Sequence, residues 1–498
     1  MRHNTGAMLN IIVDNRLRFD ADAVAPSVVQ SIRNAFTHRN PAYHKKRAMG
    51  FYPGKESEFI HTYEEEENGG FSVPRGGTSK LREAFRKAGV AYRFVDNSYE
   101  GEPISVPQHR LKLYPYQQEA VEACYLRRNC LLRSPTGSGK TTVGINLITR
   151  IARPTLIVVW SGALAKQWLA RLQSELGLKA GDIGRVMGGK VDVKPITVAM
   201  QQTLYSRGPA NLGIDRYFGF LLADEVQRFA ATTFREVTEP FHAKWRIGIS
   251  ADETRNDGKE FLIYDVFGNV AYEIDQEPLV ENGYIHDVAV RVLPTEFRAD
   301  WYQVSKDFIA LTDAMAIDEQ RNAVVMRALE LSFRDGGSTA MVFSHRVGHC
   351  QRIDALCAER GIKSGLMLGT DEWAQAFDDT SRGLREGKVQ VGIGTIQAIG
   401  QGIDVPAVDR GVITTPISGN RQQFNQVRGR ICRTTAGKES AVIYYLWDRH
   451  VYGLFALKNL AKWSNDVRVL DVADRWVEAN EYIKREQQSR RRKQWQGA

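Results

Sequence analysis

Short apolar runs separated by longer amphipathic stretches organise the chain from Leu111 to about Pro294. The runs fall at Cys130–Arg133, Thr155–Trp160, Ile196–Ala199, Phe218–Ala223 and Arg246–Ser250. A second series begins after the connection Thr295–Asp318, with runs at Ala340–Phe343, Val389–Gly394, Gly411–Thr415 and Ala441–Leu446. Strands alternating with helices in this way predict a parallel sheet wrapped by helices. The fold class is therefore α/β, with two such domains in tandem.

The first 107 residues have a different texture. A helical pattern covers Val24–Phe36, and the runs Phe59–Glu65 and Phe71–Val73 read as a hairpin turning at Asn68-Gly69-Gly70. A further helix, Lys80–Ala88, follows Gly-Gly-Thr, with Thr78 or Ser79 placed to cap it. This is a small N-terminal α+β domain. The expected division is 1–107 as an accessory domain, 108–294 and 295–472 as the two α/β domains, and 473–498 as a helical, basic tail.

Composition narrows the class. With 498 residues, 43% hydrophobic content, 25% charged residues and only 16 Pro, the chain is an ordinary globular protein rather than a fibrous or disordered one. Its five cysteines form no CxxC pair, which argues against a zinc site or a disulfide framework and for reduced thiols. No apolar run approaches the ~18 residues of a membrane span, and Met1–Asp20 lacks the apolar core of a secretory signal. The expectation is a cytoplasmic protein, nucleoid-associated or in the host cytoplasm if viral, with no membrane partner. The net charge of +9 matters through its placement, since Lys484–Lys493 holds six basic residues and one acid. That segment is either a solvated tail or an arm that tracks phosphates.

Three segments carry chemistry. The strand Leu131-Leu132-Arg133 runs into Ser134-Pro135-Thr136-Gly137-Ser138-Gly139-Lys140-Thr141, and an amphipathic helix, Thr142–Ile151, follows. Backbone N–H groups of such a loop and of a helix N-terminus cradle phosphates, with Lys140 on the β and γ groups and the Thr141 hydroxyl on Mg²⁺. Pro135, Thr136, Gly137, Ser138, Gly139, Lys140, Thr141 and Thr142 are thus candidate ATP-binding residues, with Ser134 standing where the strict pattern has Gly. The apolar Phe220–Ala223 ends in Asp224-Glu225-Val226-Gln227. A carboxylate there can hold the Mg²⁺ shell and its neighbour can polarise the attacking water. Thr141, Asp224 and Glu225 are accordingly the candidate metal site, partly through water. In the second α/β domain, Gln426–Arg433 spaces Arg430 and Arg433 three apart, as on one helical face, and an arginine fork suits the charge on a transferring phosphoryl group.

Together these segments resemble the superfamily 2 nucleic-acid helicases and translocases. Across 111 to about 447 the ordered motif set of that family is recognisable. Tyr114-Pro115-Tyr116-Gln117 resembles the adenine-reading entry segment, with Gln117 the base contact, and Ser134–Thr141 resembles motif I. Leu156–Trp168, ending Gln167-Trp168, is similar to motif Ia and Thr197–Leu204 to Ib. Asp224–Gln227 resembles motif II in a DEVQ form, and Met341–His345 resembles IV. Gly394-Thr395 with Gly402-Ile403-Asp404-Val405-Pro406 resembles V, and Gln426–Arg433 resembles VI. The Gln-Trp pair and the N-terminal appendage are most similar to phage UvsW-type branched-DNA helicases, and more distantly to XPB. One departure stands out: Asp252 and Glu253 occupy the Thr and Pro positions of motif III, which bears on how hydrolysis couples to movement.

The resemblance implies two RecA-like domains, a nucleic-acid-stimulated ATPase, and ATP with Mg²⁺ as ligands. Lys140, Asp224, Glu225, Gln426, Arg430 and Arg433 take the catalytic roles, and Gly402 and Asp404 join the nucleotide site. Its strand contacts map to Gln167, Gln201, Gln202, His345, Arg346 and Thr395, polar groups suited to phosphate and sugar rather than to bases. In the N-terminal domain, Tyr43, Lys45, Lys46 and Arg47, followed by Phe51-Tyr52, interleave basic and aromatic groups as nucleic-acid surfaces do. Glu64–Glu67 opposes this, and the 15 basic and 13 acidic residues up to Pro107 leave only +2. The expected partner is DNA, whether duplex, forked, junction or single-stranded, with other replication or recombination proteins, acting as a monomer. RNA is an alternative substrate, since nothing in the motifs reports on a 2′-OH. A clamp that binds nucleic acid under ATP control without stepping is a third reading.

Overall fold

Phe220, Leu221, Leu222 and Ala223 have no polar side chain to offer water, and every residue of the strand Phe220–Asp224 is buried. Continuous apolar runs of this kind belong to strands covered on both faces. In the computed structural model the strand is central to an eight-stranded sheet. The structure describes residues 8–66, 69–229, 231–251, 255, 257–400, 405, 408–417, 419, 421–435 and 437–496, without side chains at 231–232, 371, 399–400 and 490–496. These residues divide into two compact units, one built mostly from the chain up to 275 and the other mostly from 276 onward.

The first unit holds two sheets. In spatial order the larger runs Lys190–Asp192, Ile183–Met187, Ile196–Met200, Thr155–Val159, Phe220–Asp224, Trp245–Ser250, Asn129–Arg133 and Val270–Glu273. Its pairs are parallel except at the edge, where Lys190–Asp192 runs against Ile183–Met187. Parallel pairing brings the C-terminal ends of Asn129–Arg133, Phe220–Asp224 and Trp245–Ser250 to one edge, in the registers Ser250 with Arg133 and Asp224 with Ile249. Leu131, Leu156, Val158, Leu221, Ala223, Phe234, Ile263 and Phe267 form the core beneath that edge.

The smaller sheet has the order Glu64–Glu65, Gly70–Pro74, Arg16–Asp20, Leu9–Val13, Tyr92–Asp96 and buries Ile11, Leu17, Phe19, Phe71 and Val73 against the helices Pro26–Ala35 and Thr78–Ala88. Two expectations are corrected here. The single strand Phe59–Glu65 is divided: Phe59–His61 pairs with Thr37–Arg39, while Glu64–Glu65 pairs with Gly70–Pro74. The break falls at Thr62, which is fully buried, with its N–H donating to Phe36 O at 2.9 Å and its hydroxyl to Asp265 Oδ2 at 2.7 Å. The helix after it is capped by Gly77 rather than by Thr78 or Ser79. A Cβ at Gly77 would lie 2.3 Å from the Phe36 ring, and the Thr78 hydroxyl donates back to Arg75 O. Asn68, expected in the hairpin turn, lies outside the described residues.

Polar side chains fasten the small sheet to the larger one. Asp265, on the helix Phe261–Phe267, accepts hydrogen bonds from Thr62 and Lys80 (2.7 Å each) and meets His38 Nε2 at 2.9 Å. The His38 ring stacks on Phe261 with centroids 3.9 Å apart. Arg75 donates to Ala243 O and Lys244 O, and the fully buried Arg246 donates to Asn15 O and Thr238 O. Burial works against charge on Asp265, but His38 and Lys80 hold its carboxyl below the usual carboxylate range.

In the second unit the spatial order is Ser364–Met367, Val391–Thr395, Ala340–Ser344, Arg410–Ile413, Ala441–Asp448, Val288–Thr295, Val467–Leu470, Trp476–Glu478. All pairs are parallel but the last, Val467–Leu470 with Trp476–Glu478. Val288–Thr295 lies within this sheet, so it begins ahead of the residue-295 boundary expected from the sequence. Val342, Ile393, Val412, Tyr444 and Leu329 are buried together. At its heart Arg321 pairs with Asp448, both fully buried. The five cysteines are buried and free, and among the described residues no helix is long and apolar enough to cross a membrane.

Gly76 tests the union of the two sheets in the first unit. A Cβ there would lie 2.3 Å from Tyr264 O, 2.4 Å from Gly268 N and 2.6 Å from Asp265 O, all backbone. Gly76→Ala should cost ~1–3 kcal/mol or more by overpacking. Gly162→Ala, whose Cβ would meet nothing, should be neutral or slightly stabilising. Urea unfolding of both variants measures the contrast.

Candidate active site

The strand Asn129–Arg133 delivers the chain into the loop Ser134–Gly139, and the helix Lys140–Ile151 starts at once. Gly137 and Gly139 take φ of +95° and +84°, left-handed values that let the backbone turn back toward the helix N-terminus. A Cβ at Gly139 would also lie 2.4 Å from Gln117 Nε2. Gln117 is thus packed against the loop, while its Oε1 accepts the Tyr114 N–H at 3.0 Å and closes the capping box of the helix Pro115–Arg127. Pro135, Thr136 and Ser138 lie in the loop. Thr141 and Thr142 open the helix, and the Thr142 hydroxyl accepts from Arg171 Nη2 at 2.6 Å.

At the neighbouring strand end stand two adjacent carboxylates. Glu225 has φ +54°, a left-handed conformation that costs a non-glycine residue about 1–2 kcal/mol. Its Oε1 lies 2.5 Å from Lys140 Nζ, and its Oε2 accepts from Gln227 Nε2 at 2.5 Å. Gln227 in turn accepts the Ser250 hydroxyl through Oε1 at 2.6 Å, so three segments of the sheet edge meet on one acid. Burial works against the Glu225 charge, yet Lys140 and Gln227 hold its carboxyl below the usual range. Asp224 is opposite in character: burial first, then the Glu225 charge, push its carboxyl up to about 6. Its Oδ2 accepts the Trp168 indole N–H at 2.9 Å, whereas Oδ1 is buried without a hydrogen-bond partner among the described residues.

That donor set fits Mg²⁺. A carboxylate oxygen without a partner among the described residues, and a hydroxyl at the start of the helix after the neighbouring loop, are hard-oxygen donors of the kind this ion selects. Asp224 Oδ1 and the Thr141 hydroxyl are the groups that would hold it, since both Glu225 oxygens are already engaged.

In the second unit Gln426 and Arg430 lie four apart on the helix Arg421–Ile431, on one partly exposed face. Arg433 does not share that helix, which corrects the expected three-residue spacing on one face. The helix ends at Ile431, and the chain is drawn into an extended bridge in which Arg433 pairs with Ile285 and His286 N donates to Cys432 O at 2.6 Å. Gly402 and Asp404, like Asp252 and Glu253, lie outside the described residues.

The expected strand contacts separate into committed and available groups. Gln201 is buried and donates to Thr233 Oγ1, while the exposed Gln202 donates to Trp160 O at 2.9 Å. Gln167 is partly exposed on the helix Gly162–Leu176. His345 bonds Thr415 Oγ1 through Nδ1 at 2.7 Å, and burial beside Arg346 pushes its ring down to about 4. It is therefore neutral near pH 7 and adds no charge for a phosphate. Arg346 donates to Thr312 and pairs with Asp313 at 2.8 Å, and Thr395 accepts the Ala398 N–H at a helix start. Tyr43, Lys45, Lys46 and Arg47 are on the helix Pro41–Ala48, capped by Asn40, and Phe51 and Tyr52 beyond it are 64% and 87% exposed.

Comparison with known proteins bears on these two units. Residues 110–254 match the family described as type III restriction enzyme, res subunit, and 321–435 match the helicase conserved C-terminal domain. The chain has a superfamily 2 helicase and translocase architecture. The putative DNA 3'-5' helicase Rad25 of Halobacterium salinarum is 28% identical over 358 residues, 71% of this chain and 57% of that protein. The chain spans 57–68% of the length of the first four curated relatives it matches. Among solved structures, S. cerevisiae Dbp5 bound to RNA and ADP BeF3 shares the helicase fold over 76% of this chain and 93% of that one, with 15% identity and a TM-score of 0.51. The crystal structure of T4 UvsW aligns with 93% of this chain and 99% of that one at 15% identity and a TM-score of 0.42.

Sequence reasoning missed Trp168 as a partner of the site, and Gln227 and Ser250 as its ties. A signal was present in Gly144, a small residue on the loop's own helix that leaves room for a large ring. Lys140→Ala should lower ATP turnover ~10²–10³-fold, the loss typical of one charge-stabilising donor. Glu225→Gln should keep nucleotide binding and lower hydrolysis ~10²–10⁴-fold, as removal of a general base does. Steady-state ATPase assays beside fluorescent-nucleotide titrations separate the two outcomes.

Proposed function

We propose that this chain is an ATP-dependent DNA helicase or duplex translocase that remodels branched or paired DNA, by unwinding, branch migration or annealing, in replication, recombination or repair. The observation that carries the reading is the cluster of Lys140, Glu225 and Asp224 at one sheet edge, an ion pair beside a carboxylate oxygen left for a cation. The domain architecture and the DNA helicases among the relatives support the choice of DNA.

In this reading the loop Pro135–Gly139 and the start of the helix cradle the phosphates of ATP, and Gln117 lies beside the loop to meet the base. The phosphates compete with Glu225 for Lys140, so nucleotide binding frees the Glu225 carboxylate to orient and deprotonate water. Mg²⁺, when bound, neutralises charge on the phosphate oxygens. Arg430 and Arg433 supply the countercharge that the transferring phosphoryl group needs, and Gln426 shares the face of Arg430. Gln167, Gln202, Arg346 and Thr395 serve backbone contact. The basic helix Pro41–Ala48 is a second nucleic-acid surface of the N-terminal domain.

Stimulation of ATPase by single-stranded, duplex and forked DNA and by RNA tests the substrate class. Forked DNA should stimulate most, and stimulation by RNA alone would overturn the assignment. Arg430→Ala and Arg433→Ala should each lower turnover by up to ~10³-fold at nearly unchanged nucleotide affinity, because a countercharge acts chiefly in the transition state. Replacing Lys45, Lys46 and Arg47 together by Ala should reduce the slope of log affinity against log salt by ~2–3, since each phosphate left without its cation lowers the slope by about one. Fork-over-duplex preference should fall with it, as read by fluorescence anisotropy at several salt concentrations.

A further inference from the structure

The Gln-Trp pair at 167–168 resembles part of a strand-contacting motif, but its two residues diverge. Gln167 is partly exposed, whereas Trp168 has no exposed surface and faces the sheet edge. We propose that Trp168 is a positioning residue for Asp224, holding one carboxylate oxygen so that the other is presented to the metal. This rests on the reading of Asp224 as the metal-facing carboxylate.

Two contacts of the one ring support it. The indole N–H donates to Asp224 Oδ2 at 2.9 Å. Indole has a single donor and no acceptor, so this bond is the whole of its polar capacity, and a buried N–H left unmade is costly. The ring edge lies against the helix that opens with Lys140: a Cβ at Gly144 would sit 2.7 Å from Trp168 Cη2 and 3.1 Å from Leu222 Cδ2. One rigid side chain therefore touches the phosphate-loop helix and the carboxylate, beside Leu222 of the strand that carries it. A carboxylate can swing about its last torsion, and a single donor on one oxygen fixes that torsion. The remaining oxygen, Oδ1, is buried without a hydrogen-bond partner among the described residues. Partners of this second layer around a metal typically contribute 10–100-fold to metal affinity.

Trp168→Phe removes the N–H and keeps a ring of similar placement. The full-length variant is titrated with a fluorescent ATP analogue, first in EDTA and then across Mg²⁺ concentrations, beside Asp224→Asn and the double variant. The expected result is an unchanged EDTA affinity, a Mg²⁺ midpoint raised ~10-fold or more, and little further shift when Trp168→Phe is added to Asp224→Asn. A midpoint within twofold of wild type, or full additivity of the two substitutions, overturns the proposal and leaves Trp168 as packing. A midpoint indifferent to Asp224→Asn instead removes the metal role from Asp224 and overturns the reading beneath. The wild-type chain supplies an independent measurement should Trp168→Phe fail to fold. Among the nine Trp indole N–H resonances, one should shift on adding Mg²⁺ with nucleotide and should be displaced in Asp224→Asn. An indole spectrum that Asp224→Asn leaves unaltered overturns the proposal.

Discussion

Two carboxylates side by side at the buried end of a strand are an electrostatic liability, and the first unit is arranged around managing it. Burial raises a carboxylate's proton affinity, and a like charge this close adds to the effect. The arrangement treats the two acids differently. Glu225 receives the Lys140 ammonium and the Gln227 amide, so its charge is kept. Asp224 receives the Trp168 indole N–H but no ion pair among the described residues, and burial, then the Glu225 charge, raise its proton affinity. The partly buried Lys140–Glu225 pair and the bonds Glu225–Gln227 and Gln227–Ser250 tie the helix start, the acidic turn and Ser250 together.

The left-handed backbone at Glu225 belongs to the same arrangement. Continuing as a strand, successive side chains would point to opposite faces. The turn at Glu225 lets that side chain reach the lysine that opens the neighbouring helix while Asp224 keeps its place against Trp168. Glycine would adopt this backbone without strain, but it has no carboxylate.

Much of this is legible in the sequence. The nine apolar runs each fall within a residue or two of a strand of the two large sheets, because strands covered on both faces leave an unbroken hydrophobic signature, whereas strands such as Ile183–Met187, Val288–Thr295 and Ser364–Met367 match none of those runs. The glycine-rich loop and the Asp-Glu turn are legible because glycines and charges at strand ends have few structural reasons to be there. What escapes is decided by long-range contacts. Arg433 has helical spacing from Arg430, but a bridge to Ile285 pulls it out of the helix. The strand expected over Phe59–Glu65 breaks because Thr62 is claimed by Asp265, 203 residues away in sequence. Trp168 reads as a core residue in any local window, and its single polar bond reaches an acid 56 residues on. His345 looks like a phosphate ligand until its surroundings are seen to keep it neutral.

The seating of the small sheet on Asp265 has a mechanical consequence. Gly76 lies flush on the backbone of the helix Phe261–Phe267, and Asp265 on that helix receives three side chains of the N-terminal domain. A joint of interlocked backbone and buried ions is stiff, unlike a linker that swings freely. Load applied to the helix Pro41–Ala48 is therefore borne by the larger sheet of the first unit instead of being dissipated at a hinge. Such a mount works as a fixed tool-holder, and whatever that helix holds moves only as far as the sheet beneath it moves.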